Sequence, residues 1–263
     1  MAANKTITSE THVSPSPDLR AGETKMPPNQ PAFELLRAKS RAANSEAATA
    51  TEVDKLRSRL DFLALKRDVP CFTPGTVIAT PRGEVPVEYL RPGDKVVTRD
   101  NGLQEVRWCG AIDLCQFDMQ ANPHLRPILL RQGSLGNGLP ERDILVSPNH
   151  RVLVSNERTA LFFDEHEVLV AAKHLVGAKG ISQIDSAGTT YLHFMFDHHQ
   201  VVLSNGSWTE SFQVRDYSLR GLGNAQRSEI FELFPELQTA EGVEGYAAAR
   251  RVLQNHEARL LLN

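Results

Sequence analysis

Between residues 70 and 214 the chain is written in short apolar segments separated by turns. Val77–Thr80, Val85–Val87, Lys95–Thr98, Glu105–Trp108, Ile144–Val146, Arg151–Val154, Val168–Val170 and Val201–Leu203 alternate or are β-branched. Between them stand Pro81-Arg82-Gly83, Pro92-Gly93-Asp94, Asp100-Asn101-Gly102 and Ser204-Asn205-Gly206, residues that set the φ values tight turns need. This pattern predicts an all-β domain of many short strands over 70–214. Glu84-Val85-Pro86-Val87, followed by Leu90 and Gly93, is echoed by Glu167-Val168-Leu169-Val170, followed by Leu175 and Gly177. One inserted residue aligns the two, so a duplicated half-domain fits the pattern.

The flanks read differently. Over 51–69, Leu56, Leu60, Leu63 and Leu65 recur near helical spacing among Asp54, Lys55, Arg57 and Arg59, which predicts a short amphipathic helix ended by Pro70. Over 224–263, Ile230, Phe231, Leu233 and Phe234 form one helical stretch stopped by Pro235, and Tyr246 to Leu262 form another. Residues 1–50 are rich in Ser, Thr, Pro and Ala, with few aliphatics beyond Phe33–Leu36. They bury too little to offset their ordering entropy, so disorder is expected there.

Charge and composition narrow the function classes. Lys and Arg number 29 against 32 Asp and Glu, a net charge of −3 without a basic field for nucleic acid. Apolar runs such as Ala160–Phe163 and Ile128–Leu130 are far too short to span a bilayer. MAANKTITSE has no apolar core and is not a secretory signal, so a cytoplasmic location is the default and export without a classical signal stays open. Cys71, Cys109 and Cys115 form no CxxC pair, and an odd number argues against a disulfide framework. No nucleotide or flavin motif points to a cofactor. His193, His198 and His199 lack cysteine companions and regular ligand spacing, so no metal is expected.

The sharpest chemistry lies at the start of the β-region, Cys71-Phe72-Thr73-Pro74-Gly75-Thr76-Val77-Ile78. A thiol there can attack the carbonyl of Pro70 and turn that amide into a thioester. The shift needs a thiolate or a nearby base, donors for the oxyanion, and a proton for the departing amine. Ser147-Pro148-Asn149-His150, between two predicted strands, offers a hydroxyl and an imidazole three residues apart. Histidine is the natural proton donor near neutral pH.

These segments together resemble the Hint family of Hedgehog and intein self-processing domains. Cys71-Phe72-x-x-Gly75-Thr76 resembles the first intein splicing motif, and Ile144–Val154 resembles the Thr-x-x-His motif with Ser147 in place of threonine. Leu90-Arg91-Pro92-Gly93-Asp94-Lys95-Val96 is similar to the Leu-x-x-Gly-Asp-x-Val turn between those motifs. In order and spacing the set is most similar to bacterial Hedgehog/intein-type domains.

The resemblance implies a flat, pseudo-two-fold β-horseshoe in which Cys71 is the nucleophile. Ser147 would support the scissile amide or oxyanion, and His150 would protonate the leaving amine. His193 falls roughly where the intein motif carries an acidic residue, which makes it a candidate to tune Cys71. Asp113 and Asp118 are alternatives for an activating aspartate, with no choice between them. Tyr191–Gly206 resembles the last intein motif up to its Asn-Gly turn, but Ser207-Trp208-Thr209-Glu210-Ser211 stands where inteins end in His-Asn. Splicing is therefore not expected. The expected reaction is cleavage or acyl transfer at Pro70–Cys71, with the chain's own N-terminal segment as substrate and water, a thiol or an amine as acceptor. The rival expectation is a catalytically silent scaffold acting as an interaction module, which Pro70 favours because its ring restricts the scissile backbone.

Overall fold

The computed structural model describes residues 69–215, 219 and 222–262. The segments expected to be disordered (1–50) and helical (51–69) lie, apart from Val69, outside the described residues.

Thirteen strands dominate the described residues. β1 (Val77–Thr80) and β2 (Gly83–Pro86) form a hairpin, and β3 (Lys95–Thr98) and β4 (Gly102–Glu105) form another. β8 (Arg151–Val154) pairs with β9 (Val168–Ala171), and β12 (Val201–Ser204) with β13 (Ser207–Glu210). These eight strands make one sheet in the order β2-β1-β12-β13-β8-β9, with β3 joined to β12 and β4. β6 (Ile128–Leu130) lies between β7 (Ile144–Val146) and β10 (Ile181–Gln183) in a second sheet. β5 (Trp108–Cys115) and β11 (Gly188–Met195) form a long antiparallel ribbon.

Local chemistry explains the turns. Asn205 and Gly206 link β12 to β13 with φ of 45° and 76°, the left-handed pair a two-residue hairpin requires. Asn205 is further pinned, its Oδ1 accepting from Val77 N at 2.8 Å and its Nδ2 donating to Asp143 O at 2.8 Å. The two echoing segments adopt the same succession of elements. β2 runs into a 3-10 turn at Val87–Tyr89 and β9 into one at Ala172–Leu175; a buried leucine, Leu90 just after the first turn and Leu175 at the end of the second, is followed in each case by a glycine of positive φ.

Three expectations are corrected. The region is mainly β and not all-β, because α1 (Gln116–Ala121) and α2 (Glu157–Phe163) lie inside it. The Asn156 side chain caps α2 by accepting from Arg158 N and Thr159 N, and it outweighs the strand-like apolar run behind it. Glu105–Trp108 is not one strand, since the chain changes partners there: Val106 N bonds Asp94 O and Arg107 N bonds Met195 O, both at 2.8 Å. The C-terminal stretch from Tyr246 is helical only from Asn255. It runs extended past β9, with Val252 bridging Leu169 in parallel, before α5 (Asn255–Leu262) begins.

Two large apolar clusters form most of the core. One joins Phe72, Ile78, Val96, Ile144, Phe194 and Val202 between the sheets. The other contains Val69, Cys71 and Trp108 together with Ile230, Phe234, Leu237 and Tyr246 of the C-terminal region. That region, with α3 (Asn224–Leu233) and α4 (Ala240–Gly245), therefore packs over the ribbon and the start of the β-region. Each buried aromatic contributes about 1.5–3 kcal/mol to that attachment. No helix among the described residues is long and apolar enough to cross a membrane.

Candidate active site

Cys71 and Phe72 are threaded between two strands. Phe72 bridges Val146 of β7 and Leu192 of β11, exchanging hydrogen bonds with Leu192 at 2.7 and 2.9 Å. Ser147 N donates to Cys71 O at 2.9 Å, so the peptide after Cys71 is fixed on both sides. The chain turns directly after β7, where His150 N bonds Ser147 O at 3.0 Å.

That turn aims the Ser147 hydroxyl at the peptide before Cys71. Its Oγ accepts from Cys71 N at 2.8 Å and donates to Val69 O at 3.0 Å, spanning Pro70. Among the described residues no donor reaches the Pro70 carbonyl itself. The Cys71 thiol is buried, with Sγ 3.5 Å from Val69 O and 3.4 Å from His193 Nδ1. A narrow cleft bounded by Val69, Ile112, Leu125 and Tyr191 reaches Cys71 and Ser147.

His193 is placed by the ribbon. It lies opposite Gly110, stacked on Trp108 with centroids 5.3 Å apart and against Phe212 at 5.4 Å. Gly110 is required by this approach: a Cβ there would lie 2.6 Å from His193 Nε2 and collide with the Trp108 ring. Glu229 of α3 accepts from Trp108 Nε1 at 3.2 Å, so the C-terminal region holds the stacking ring.

The structure thus brings Cys71, Ser147 and His193 within hydrogen-bonding reach. His150 is close by but differently engaged. Its ring meets Phe72 edge-on at 4.3 Å, and neither ring nitrogen has a hydrogen-bond partner among the described residues. Burial depresses its pKa from 6.5 to about 4; the nearby Glu210 opposes this, while Arg151 and His199 reinforce it. The expected proton donor near neutral pH is therefore uncharged there. Asp113 and Asp118 are committed elsewhere. Asp113 accepts from Thr190 Oγ1 at 2.6 Å, on the face of β5 opposite Trp108 and Gly110. Asp118 accepts from Cys115 N at 2.9 Å. Cys109 donates to Leu90 O at 3.7 Å, and burial pushes its thiol to about 12.

Sequence reasoning missed a buried charge beside this turn. The Glu210 carboxylate accepts from Arg151 N and Arg151 Nη1, each at 2.8 Å, and lies 3.4 Å from His199 Nε2. Burial pushes its carboxyl upward, but Arg151 and His199 outweigh that and hold it at about 2. The available signal was a glutamate at an inward position of a strand, flanked by Thr209 and Ser211. Among the described residues no group of three or more His, Cys, Asp or Glu is arranged to hold a metal ion.

These shifts give a pH dependence with a definite sign. The folded state binds fewer protons than the unfolded chain between 6.5 and about 4 at His150, and between 4.5 and about 2 at Glu210. Stability therefore falls as pH is lowered through both windows, with His150 alone contributing about 3 kcal/mol across the first. Thermal unfolding followed by circular dichroism should show the melting temperature dropping from pH 7 to pH 4. His150→Gln should flatten the drop; an unchanged slope would place its origin elsewhere.

The Hint domain family profile matches residues 70–216. Among solved structures, the chain is similar to a bacterial intein-like domain from Clostridium thermocellum, at 18% identity over 54% of this chain and 97% of that one, with a TM-score of 0.35. It is also similar to a DnaB intein from Synechocystis sp. PCC 6803, at 12% identity over 54% of this chain and 98% of that one, TM-score 0.34. For the gp41-1 intein the values are 13%, 53%, 97% and 0.32. No curated protein sequence matches the chain.

Proposed function

Since the chain belongs to the Hint domain family, we propose that it processes itself at the Pro70–Cys71 bond, over a working unit of residues 70–214 with 224–263 as an added tail. The observation that carries this is the convergence of Ser147 and His193 on Cys71 and the backbone before it. The Ser147 hydroxyl touches Cys71 N at 2.8 Å and Val69 O at 3.0 Å, while Cys71 Sγ lies 3.4 Å from His193 Nδ1.

The steps follow from those contacts. His193 takes the thiol proton, and the thiolate bonds to the Pro70 carbonyl carbon. The carbon–nitrogen bond breaks, the electron pair goes to Cys71 N, and that amine takes up a proton. Ser147 fixes the amide from its nitrogen side throughout. His150 stands behind Ser147 as an acid for the amine, but its depression to about 4 leaves it uncharged at neutral pH. The imidazolium formed on His193 is then the stronger acid at hand, and return of its proton completes the N-to-S shift. Attack on the thioester by water, a thiol or an amine releases residues 1–70. Ser207-Trp208-Thr209-Glu210-Ser211 stands where a splicing domain ends in His-Asn, so the reaction ends in cleavage or transfer.

A second reading, a silent scaffold acting as an interaction module, is favoured by one observation: the Pro70 carbonyl has no donor among the described residues to receive a developing oxyanion. Intact-mass analysis separates the two. Incubation of the full chain with dithiothreitol or hydroxylamine should release a fragment ending at Pro70. A folded chain that stays uncut across pH 5–9 sinks the self-processing reading and leaves the scaffold.

A further inference from the structure

Ser207–Ser211 has no part in the proposed reaction, yet its Glu210 carries a fully buried carboxylate. β13 and β8 are joined at a single register pair, Thr209 with Val152, so the seam beside the Ser147–His150 turn is thin. Glu210 extends that seam with its side chain. Oε1 accepts the backbone N–H of Arg151, the residue directly after His150, as a neighbouring strand's carbonyl would. Oε2 accepts from the Arg151 guanidinium, which also donates to Gln213 Oε1 at 2.7 Å. His199 backs the carboxylate with Nε2, while its Nδ1 accepts from Ala249 N at 2.9 Å, so the C-terminal stretch is tied in as well. The other end of the turn is held by the Ser147 N to Cys71 O bond.

We infer that Glu210 is a positioning residue: by gripping the backbone N–H and guanidinium of Arg151, it fixes the far end of the Ser147–His150 turn against the Pro70–Cys71 peptide. The inference rests on the self-processing reading for its kinetic consequence and on geometry alone for its structural one. The charged or titratable groups facing His150 are Glu210 from β13, Arg151 from its own strand and His199 ahead of β12. Glu210 is the one acidic group of the three, so the same carboxylate also favours a proton on His150.

The test uses the full chain with Glu210→Gln, which keeps shape and loses charge, and Glu210→Asp, which keeps charge and loses reach. A group that only stabilises the fold would lower the melting temperature and leave the rate of folded molecules unchanged. Positioning instead requires both variants, at temperatures where circular dichroism shows them folded, to cleave about 10²-fold more slowly at fixed thiol concentration. Either variant cleaving at the parent rate with the parent pH profile overturns the inference. A second arm does not need cleavage. In a Cys71→Ala background, the imidazole resonance of His150, assigned by its loss in His150→Gln, should titrate at lower pH when Glu210→Gln is added. An unmoved midpoint overturns the inference. A parent chain that never cleaves sinks the self-processing reading, and the resonance arm then decides the role of Glu210 alone.

Discussion

Replacing Cys71 with alanine abolishes thiol-induced release of residues 1–70, because no other sulfur is placed to carry the acyl group. Cys109 is turned toward Leu90 O, and burial holds its thiol at about 12, so it supplies almost no thiolate at neutral pH. Cys115 is exposed at the end of β5, where its backbone caps α1. The Ser147 hydroxyl beside Pro70 is already engaged with Cys71 N and Val69 O. The fold should survive, since a buried thiol exchanged for a methyl leaves a small change in volume. Intact mass after overnight incubation with dithiothreitol, beside the parent, is the measurement. A fragment ending at Pro70 from the alanine variant would assign the nucleophile elsewhere.

The second large effect is expected at His193. Its Nδ1 is 3.4 Å from Cys71 Sγ, and its buried ring packs against Trp108 and Phe212. Removing the imidazole in contact with the sulfur should slow cleavage by about 10²–10⁴ fold, the usual loss for a positioned acid or base. His193→Gln is the better variant, because it fills much of the space beside Gly110. Without the base, the rate should follow the thiolate fraction, rising about tenfold per pH unit below the thiol pKa. The deficit should therefore shrink as pH rises. A variant that keeps the parent rate at pH 7 would show that His193 only packs against the sulfur.

The sequence revealed those parts of the molecule where chemistry is local. Short β-branched strands bounded by turn residues, such as β1 and β3, announce themselves by composition, and the Asn205-Gly206 hairpin by its backbone demands. The Cys71 and Ser147–His150 motifs were visible as motifs because each sits at a strand junction rich in turn residues. β11 was not legible, since from Tyr191 onward it is buried on both faces and shows no alternation. Glu210 was hidden for a related reason. Its partner Arg151 lies 59 positions away, and a single charge in a strand carries no sign of being paired inside. The neutrality of His150 was equally invisible, because it depends on how completely the surrounding sheets exclude water.

The Asn205-Gly206 turn has a consequence for the durability of the protein. Asn-Gly is the dipeptide most prone to spontaneous deamidation, which begins when the backbone nitrogen of glycine attacks the asparagine side-chain carbonyl. Here both ends of that side chain are spoken for, Oδ1 by Val77 N and Nδ2 by Asp143 O, and the left-handed backbone is locked by the hairpin. The amide cannot swing onto the glycine nitrogen without breaking its two hydrogen bonds, one to Val77 of β1 and one to Asp143 just before β7. Folding thus stops a chemical clock that would run in the open chain, and deamidated mass at this turn becomes a record of how long a molecule has spent unfolded.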